Sequence, residues 1–469
     1  MSRTVAAPRY RWDTAQASAR SFWQRLSAPQ LFVLSFLLLD TLGTVGLKVL
    51  PGLYTGEPLT WVDALFTSTS ACCVTGLIVV DTATYFTPAG QAWVLLLIQL
   101  GGLGMITFTS LIFTALGRRL SLRSLSLAGV DPEAAPHIDP RRMVVDGVLF
   151  TFGFEAAGAL ALYAFWAPEL GWGAAVWPAV FHSVSAFCNA GFSTFTDNLI
   201  PFQRNPGVLV VIMLLIVIGG IGFLTLEEVA LRLRAGRHRH VFRVSLHSRL
   251  VLVTTGLLIL AGAVALGMGE WNRTLGHLGV GHKVTNSLLL SVTPRTAGFN
   301  SIDYGQASET TNFVTVLLMM VGGSPGSTAG GFKTTTLALV SLLAWSRLRG
   351  LQVTSVAGRS LRDETLGRAV GLFVMASAVV TVGVLLLTVT EASTGKGDFL
   401  SRLFEVASAF NTVGLTMGET PHLTASGKVL LSALMLLGRV GPLTLGAAVT
   451  LDSDRGAEFR YAYEEVMIG

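Results

Sequence analysis

Apolar residues run along this chain in blocks long enough to cross a bilayer, about 20 residues each, and the blocks come in pairs. Spans are predicted to start near residues 30, 91, 144, 207, 249, 312, 368 and 428. Between the members of each pair lies a shorter stretch rich in Ser, Thr, Phe and Gly, at 61–77, 177–192, 283–299 and 399–415. Each opens with about ten helix-compatible residues and closes on an extended segment ending in glycine. Such a stretch cannot cross a bilayer, but it fits a helix that enters partway and a loop that returns. The pattern predicts an all-α polytopic membrane protein: four tandem helix–re-entrant loop–helix repeats around a central pore, with eight transmembrane helices.

Two internal signatures support the fourfold repeat. The loop-closing glycines are Gly76, Gly191, Gly298 and Gly414, spaced 115, 107 and 116 residues apart. They end the motifs Val74-Thr75-Gly76, Asn189-Ala190-Gly191, Thr296-Ala297-Gly298 and Thr412-Val413-Gly414, and the preceding residues echo one another as STSA at 68–71, SVSA at 183–186 and VASA at 406–409. A second signature has its first glycine 24 to 28 residues later: LGGLG at 100–104, IGGIG at 218–222, VGG at 321–323 and LGRVG at 437–441. Two signatures at matching offsets define tandem units. Repeat 1 spans 30–117, and repeat 2, with the loop before it, spans 118–234. Repeat 3 spans 235–350 and repeat 4 spans 351–452. Residues 1–29 and 453–469 flank them.

Composition sharpens the class. Charged residues make up 13% of the 469 positions, against about 25% in ordinary globular proteins, and mean hydropathy is +0.61. That excludes a soluble enzyme, a disulfide scaffold and a disordered protein. The net charge of +5 is not pooled on a soluble domain, so it does not indicate nucleic-acid binding. Cys72, Cys73 and Cys188 sit in apolar segments without metal-ligand spacing and read as buried small residues. The first apolar run lacks a cleavage site and reads as a retained membrane helix.

Positive charge sets the expected orientation. Arg3, Arg9, Arg11, Arg20 and Arg25 precede the first span. Arg118, Arg119, Arg123, Arg141 and Arg142 follow the second. Arg232, Arg234, Arg237, Arg239, Arg243 and Arg249 lie between the second and third units, Arg347 to Arg368 between the third and fourth, and Arg455 and Arg460 in the tail; none occurs from Val49 to Gly117. Both termini and the inter-unit loops are therefore expected in the cytoplasm of a multi-pass protein of the cell membrane, surrounded by lipid. The basic runs 118–142 and 232–249 read either as topology determinants or as a docking surface for a cytosolic partner. His238 and His240 read as part of a solvated basic run.

Four loops entering from one side can close around an axis. Extended backbone from four units can replace the water around a cation with carbonyl oxygens, and it is tolerated at membrane depth where it lines a polar cavity. Glycine reaches φ > 0 without a Cβ penalty. Thr75, Thr296 and Thr412 are expected to brace the loops through their hydroxyls.

With these motifs, the run Val74 to Thr82, the stretch Ser185 to Phe192 and the loop Gly322-Gly323-Ser324-Pro325-Gly326-Ser327-Thr328-Ala329-Gly330-Gly331, the chain resembles the Trk/Ktr/HKT superfamily of potassium transport proteins. The resemblance covers about residues 28–452 and is nearest to the Ktr-type membrane subunits (KtrB-like). It implies uptake of K⁺, with K⁺ held at the twelve motif residues above, and no enzymatic activity. It also implies a homodimer with a pore in each subunit and a cytosolic regulatory ring of RCK type (KtrA-like). A nucleotide, ATP or ADP, would then sit on that partner and not on this chain. In plant members a serine at the first filter glycine goes with sodium preference; Gly76 favours K⁺.

Charges at membrane depth point to function. Lys333 follows the interruption at 322–331, where Pro325 and five glycines cannot hold a helix; the other three repeats are expected to continue there without a break. The interruption reads as a gate beneath the filter or as a packed kink. Arg439 takes the place of Gly102, Gly220 and Gly323 and is expected to point at the axis or at the broken loop. The family resemblance implies a gating loop in repeat three and a basic residue in repeat four. Glu405 reads as a hydrogen-bond partner. Asp81 reads either as a concentrator of cations at the mouth or as a solvated loop acid. Two other functions compete: a Na⁺-permeable or Na⁺-coupled transporter of the same architecture, and a secondary transporter of an organic solute, whose repeats are commonly two and inverted. Ser324 lacks the context of a hydrolase nucleophile.

Overall fold

The computed structural model describes residues 28–120, 140–234, 244–392 and 397–441. Residues 1–27, the basic positions Arg123, Arg237, Arg239 and Arg243, both His238 and His240, and the tail from 442 on lie outside the described residues.

The described residues are mainly helical, with one two-stranded hairpin, Ser355–Val356 paired with Arg359–Ser360, and an isolated bridge between Tyr54 and Phe86. In repeat 1, α1 (Ala28–Val49) is followed by the short α2 (Trp61–Cys72) and by α3 (Pro88–Leu120). Repeat 2 contains α4 (Pro140–Leu170), the short α5 (Val176–Phe187), α6 (Pro206–Ile221) and α7 (Phe223–Arg234). Repeat 3 contains α8 (Leu246–Glu270), the short α9 (Val280–Val292), α10 (Glu309–Met319) and α11 (Thr334–Leu348). Repeat 4 contains α12 (Asp363–Thr390), the short α13 (Phe399–Phe410) and α14 (Ala425–Val440). Among the described residues five helices are long and apolar enough to cross a membrane, and six if the bent pair α6–α7 counts as one.

The short helices start where the local sequence directs. Thr60 caps α2 by accepting from Asp63 N–H, and Asp398 and Ser401 form a reciprocal capping box on α13. Each short helix packs beside the first helix of its repeat and ends in the interior, where Ser68, Ser183, Ser291 and Val406 are buried. The cores are aromatic in places: Trp166 is fully buried, with Phe195 and Phe202 at 5.3 Å and His182 at 5.1 Å between ring centroids.

A second recurrence closes the outer ends. An acid at the end of the first helix bonds the residue that caps the second helix. Asn205 Nδ2 donates to Glu169 Oε1 at 2.9 Å, Ser308 N–H to Glu270 Oε1 at 2.9 Å, and Thr424 Oγ1 to Glu391 Oε1 at 2.6 Å. Repeat 1 uses backbone instead, with Thr87 N–H donating to Leu53 O and Thr87 Oγ1 to Gly52 O.

One expectation is overturned. Among the described residues the second helix is interrupted not in repeat 3 alone but also in repeat 2, whereas α3 runs through. α6 stops at Gly222 (φ 95°) and turns by 103° into α7, while α14 stops at Gly441 (φ 84°). At Gly222 the cause is tertiary. A side chain there would lie 2.6 Å from Pro325 O, and Phe223 N–H donates to Gly326 O, so the loop of repeat 3 occupies the path that a straight α6 would follow. For the same reason α10, with 11 residues, is too short to be a span by itself.

Candidate functional site

Each short helix releases the chain into a turn built on two left-handed positions. The first is not glycine: Val74 (φ 55°), Asn189 (φ 61°), Thr296 (φ 69°) and Thr412 (φ 51°). The second is the motif glycine, Gly76 (φ 96°), Gly191 (φ 71°), Gly298 (φ 75°) or Gly414 (φ 91°). A β-branched residue in that region is strained, and such strain persists only where the surroundings over-determine it. The left-handed position recurs in all four units and is β-branched in three of them, Asn189 being the residue type that tolerates it. The intervening residues, Thr75, Ala190, Ala297 and Val413, are fully buried.

The four turns meet in a closed ring. A methyl group at Gly191 would lie 2.8 Å from Ala297 O, and one at Gly298 would lie 2.6 Å from Val413 O. One at Gly414 would strike Thr75 O, and one at Gly76 would strike Ala190 O. Each glycine thus abuts the carbonyl of the next repeat, in the order one, two, three, four and back to one. Among the described residues the carbonyls of Thr75, Ala190, Ala297 and Val413 accept no hydrogen bond. Buried carbonyls without a donor are costly, and a ring of them is suited to a dehydrated cation. The C-terminal ends of α2, α5, α9 and α13 lie directly behind, adding the partial negative charge of a helix terminus.

The bracing differs from the expectation. The hydroxyls of Thr75, Thr296 and Thr412 are buried and have no hydrogen-bond partner, so they do not brace the loops. Serines one helical turn back do so. Ser70 Oγ accepts from Gly76 N–H at 3.1 Å, Ser408 Oγ accepts from Gly414 N–H at 3.0 Å, and Ser185 Oγ donates to Phe192 O at 2.8 Å. The STSA, SVSA and VASA echo contains these serines, and that echo was the signal available in the sequence. Repeat 3 carries Val292 at the corresponding place.

Below the ring, residues 322–333 form an irregular crossing from repeat 2 to repeat 4. Ser324 N–H donates to Gly220 O at 2.9 Å, Thr328 Oγ1 to Phe187 O at 3.2 Å, and Gly331 N–H to Gly438 O at 3.2 Å. The Asn411 side chain, which the sequence did not single out, accepts from Phe332 N–H at 3.4 Å. Two cations hold three successive carbonyls of this loop. Arg439 Nη1 donates to Thr328 O, and Lys333 Nζ donates to Ala329 O at 2.7 Å and Gly330 O at 3.2 Å. Arg439 Nη2 reaches Gly101 O on α3 at 2.9 Å, so one buried guanidinium joins repeats 1, 3 and 4. The neighbouring glycines let the second helix lie against the short helix. A side chain at Gly101, Gly219 or Gly438 would strike the carbonyl of Cys72, Phe187 or Phe410.

Two acids are structural. Glu405 is fully buried and accepts from Thr416 Oγ1 and, at 2.6 Å, from Thr420 Oγ1, tying α13 to the segment beyond Gly414. Asp81 caps a single helical turn at Thr82–Tyr85 and accepts from Thr196 Oγ1 of repeat 2 at 2.9 Å, which makes it a link between repeats.

Comparison with known proteins identifies the family. Residues 30–458 match the TrkH family, described as cation transport proteins. The chain is 39% identical over 452 residues to the Ktr system potassium uptake protein B of Bacillus subtilis, covering 95% of this chain and 98% of that one. It is 36% identical over 453 residues to the potassium/sodium uptake protein NtpJ of Enterococcus hirae, again covering 95% and 98%. The crystal structure of the potassium transporter TrkH from Vibrio parahaemolyticus superposes with a TM-score of 0.71 at 21% identity, covering 91% of this chain and 86% of that one, so the fold is shared. The carbonyl ring, the fourfold loops and the sequence match converge: this chain belongs to the TrkH family of cation transport proteins and is not an enzyme.

Proposed function

We propose that this protein takes up K⁺ across the cytoplasmic membrane as the pore-forming subunit of a Ktr-like system. The observation that carries the reading is the closed ring of four glycines, each against a carbonyl of the next repeat that has no other partner. K⁺ is coordinated by the backbone at Val74–Gly76, Asn189–Gly191, Thr296–Gly298 and Thr412–Gly414. The membrane part comprises eight spans with both termini cytoplasmic, in which α6 with α7, and α10 with α11, each form one interrupted span. The loop 322–331, with Lys333 and Arg439, is the gate. Support for K⁺ comes from relatives named for potassium uptake at 36–39% identity. The assembly is a homodimer carrying a cytosolic nucleotide-binding ring, a reading supported by relatives named as members of a Ktr system.

A second reading, passage of Na⁺ as well, is favoured by the Enterococcus hirae relative named for potassium and sodium uptake. One experiment separates the two. Purified protein in liposomes is assayed for ⁸⁶Rb⁺ and ²²Na⁺ uptake, as the parent and as Gly76→Ser, Gly191→Ser, Gly298→Ser and Gly414→Ser. The proposal expects Rb⁺ uptake in the parent, and a lower Rb⁺ to Na⁺ ratio in each serine variant. An unchanged ratio in all four would remove the filter assignment.

A further inference from the structure

Asp40 on α1 and Glu155 on α4 are buried, each 4% exposed, and each lies 36 residues before its filter glycine. Their environments match. Three residues on, Gly43 and Gly158 face Ser68 and Ser183 of the short helices, and those serines donate to the backbone carbonyls of Asp40 (2.8 Å) and Glu155 (2.6 Å). The same construction appears in repeat 3, where Gly262 faces Ser291 and Ser291 donates to Ile259 O at 2.8 Å; in repeat 4 Gly383 faces Val406, which puts Val380 at the matching place. Two adjacent repeats therefore carry a carboxyl where the other two carry Ile259 and Val380.

Both carboxyls reach the helix that ends in the filter. Asp40 Oδ2 accepts from Thr69 Oγ1 at 2.9 Å, one residue before Ser70, the brace of Gly76. Glu155 Oε1 lies 3.7 Å from Cys188 Sγ, and Cys188 immediately precedes left-handed Asn189. Gln99 on α3 completes the second cluster: its Nε2 donates to Glu155 Oε2 at 3.3 Å, and its Oε1 lies 3.7 Å from the same sulfur. Leaving a carboxyl at membrane depth is costly, and neither acid lines the ring itself.

We infer that Asp40 and Glu155 are positioning residues for the first and second quarters of the filter, and that they set how well the passage separates K⁺ from Na⁺. The inference rests on the filter reading above. Each acid acts through the short helix: it fixes the rotation of the last turn and so the direction of the carbonyls that follow. Because repeats 3 and 4 use apolar packing at the same place, the filter is held more rigidly on one side than on the other.

The test compares the ⁸⁶Rb⁺ to ²²Na⁺ uptake ratio of reconstituted Asp40→Ala, Glu155→Ala, Ile259→Ala, Val380→Ala, Gly191→Ser and the exchange pair Gln99→Glu with Glu155→Gln. Folding is followed by gel filtration and thermal melting. Removing one partner of a buried hydrogen bond is expected to lower the ratio about fivefold in Asp40→Ala and Glu155→Ala. Ile259→Ala and Val380→Ala should melt earlier at an unchanged ratio, and the exchange pair, which restores an amide opposite a carboxyl, should recover the parent ratio. If Gly191→Ser lowers the ratio while both acid variants leave it alone, or if the two apolar truncations lower it equally, the positioning role is wrong and the filter stands. If Gly191→Ser also leaves the ratio unchanged, the filter reading and this inference fall together.

Discussion

Lys428 Nζ on α14 lies 2.6 Å from Asp63 Oδ1 on α2, an ion pair between residues 365 positions apart. It joins the start of α14 in the last repeat to the start of α2 in the first, so it closes the circle of four units. Both side chains are largely buried, 14% and 19% exposed, so removing one leaves the other poorly solvated. Lys428→Ala is expected to cost roughly 2 kcal/mol of stability, between the values for exposed and for fully buried pairs. A lower melting temperature in detergent, partly recovered by exchanging the two charges, would confirm the pair. A melting curve identical to the parent would mean that the closure is held elsewhere.

The serine braces predict a graded loss. Ser70→Ala and Ser408→Ala each remove the acceptor of a filter-glycine N–H, an interaction worth about 1 kcal/mol. In each variant the ratio of Rb⁺ to Na⁺ uptake should fall by less than in the glycine-to-serine variants of the same repeat. Ratios equal to the parent in both would assign these hydroxyls to helix packing.

The gate gives the most direct flux prediction. Arg439→Ala releases Thr328 O and Gly101 O together, and deletion of Ser324 to Gly330 removes the crossing itself. Either change should raise Rb⁺ uptake measured without any regulator. Arg439→Lys should fall between the parent and alanine, because a single ammonium cannot span two carbonyls on opposite sides as the guanidinium fork does. Correctly assembled variants with the low unregulated flux of the parent would exclude this loop as the gate.

The outer acid-to-cap contacts predict stability effects without a change in ion preference. Glu270→Ala deprives Ser308 N–H at the start of α10 of its acceptor, and Thr274 Oγ1 of a 2.8 Å contact. A loss of about 1–2 kcal/mol is expected, read as earlier thermal melting at an unchanged uptake ratio. A selective change in the ratio would instead place Glu270 in the ion path.

The parts legible in the sequence are those encoded locally. The starts of all eight predicted apolar segments fall near helix starts, and each motif glycine takes φ > 0, because hydrophobic runs and glycine act through the residues beside them. What remained hidden depends on residues far away. The bend at Gly222 exists because Pro325 O and Gly326 O, about a hundred positions on, fill the space ahead of α6; LGGLG in α3 and IGGIG in α6 look alike in sequence, yet only the second breaks. The motif itself offers Thr75, Thr296 and Thr412 as sources of bracing hydroxyls. In the fold these hydroxyls have no hydrogen-bond partner, Thr296 and Thr412 lie against Gly322 and Gly330, and Ser70 Oγ accepts from the backbone instead. A single acid within an apolar run, such as Asp40 or Glu155, carries no periodic signal.

The order in which the glycines touch has a mechanical consequence. A collar of four links with no free end cannot widen at one joint alone, because the carbonyl displaced by one repeat is the wall against which its neighbour rests. The bore is thus a shared dimension of the whole chain. A shift of any one carbonyl is therefore met first by the glycine of the repeat before it.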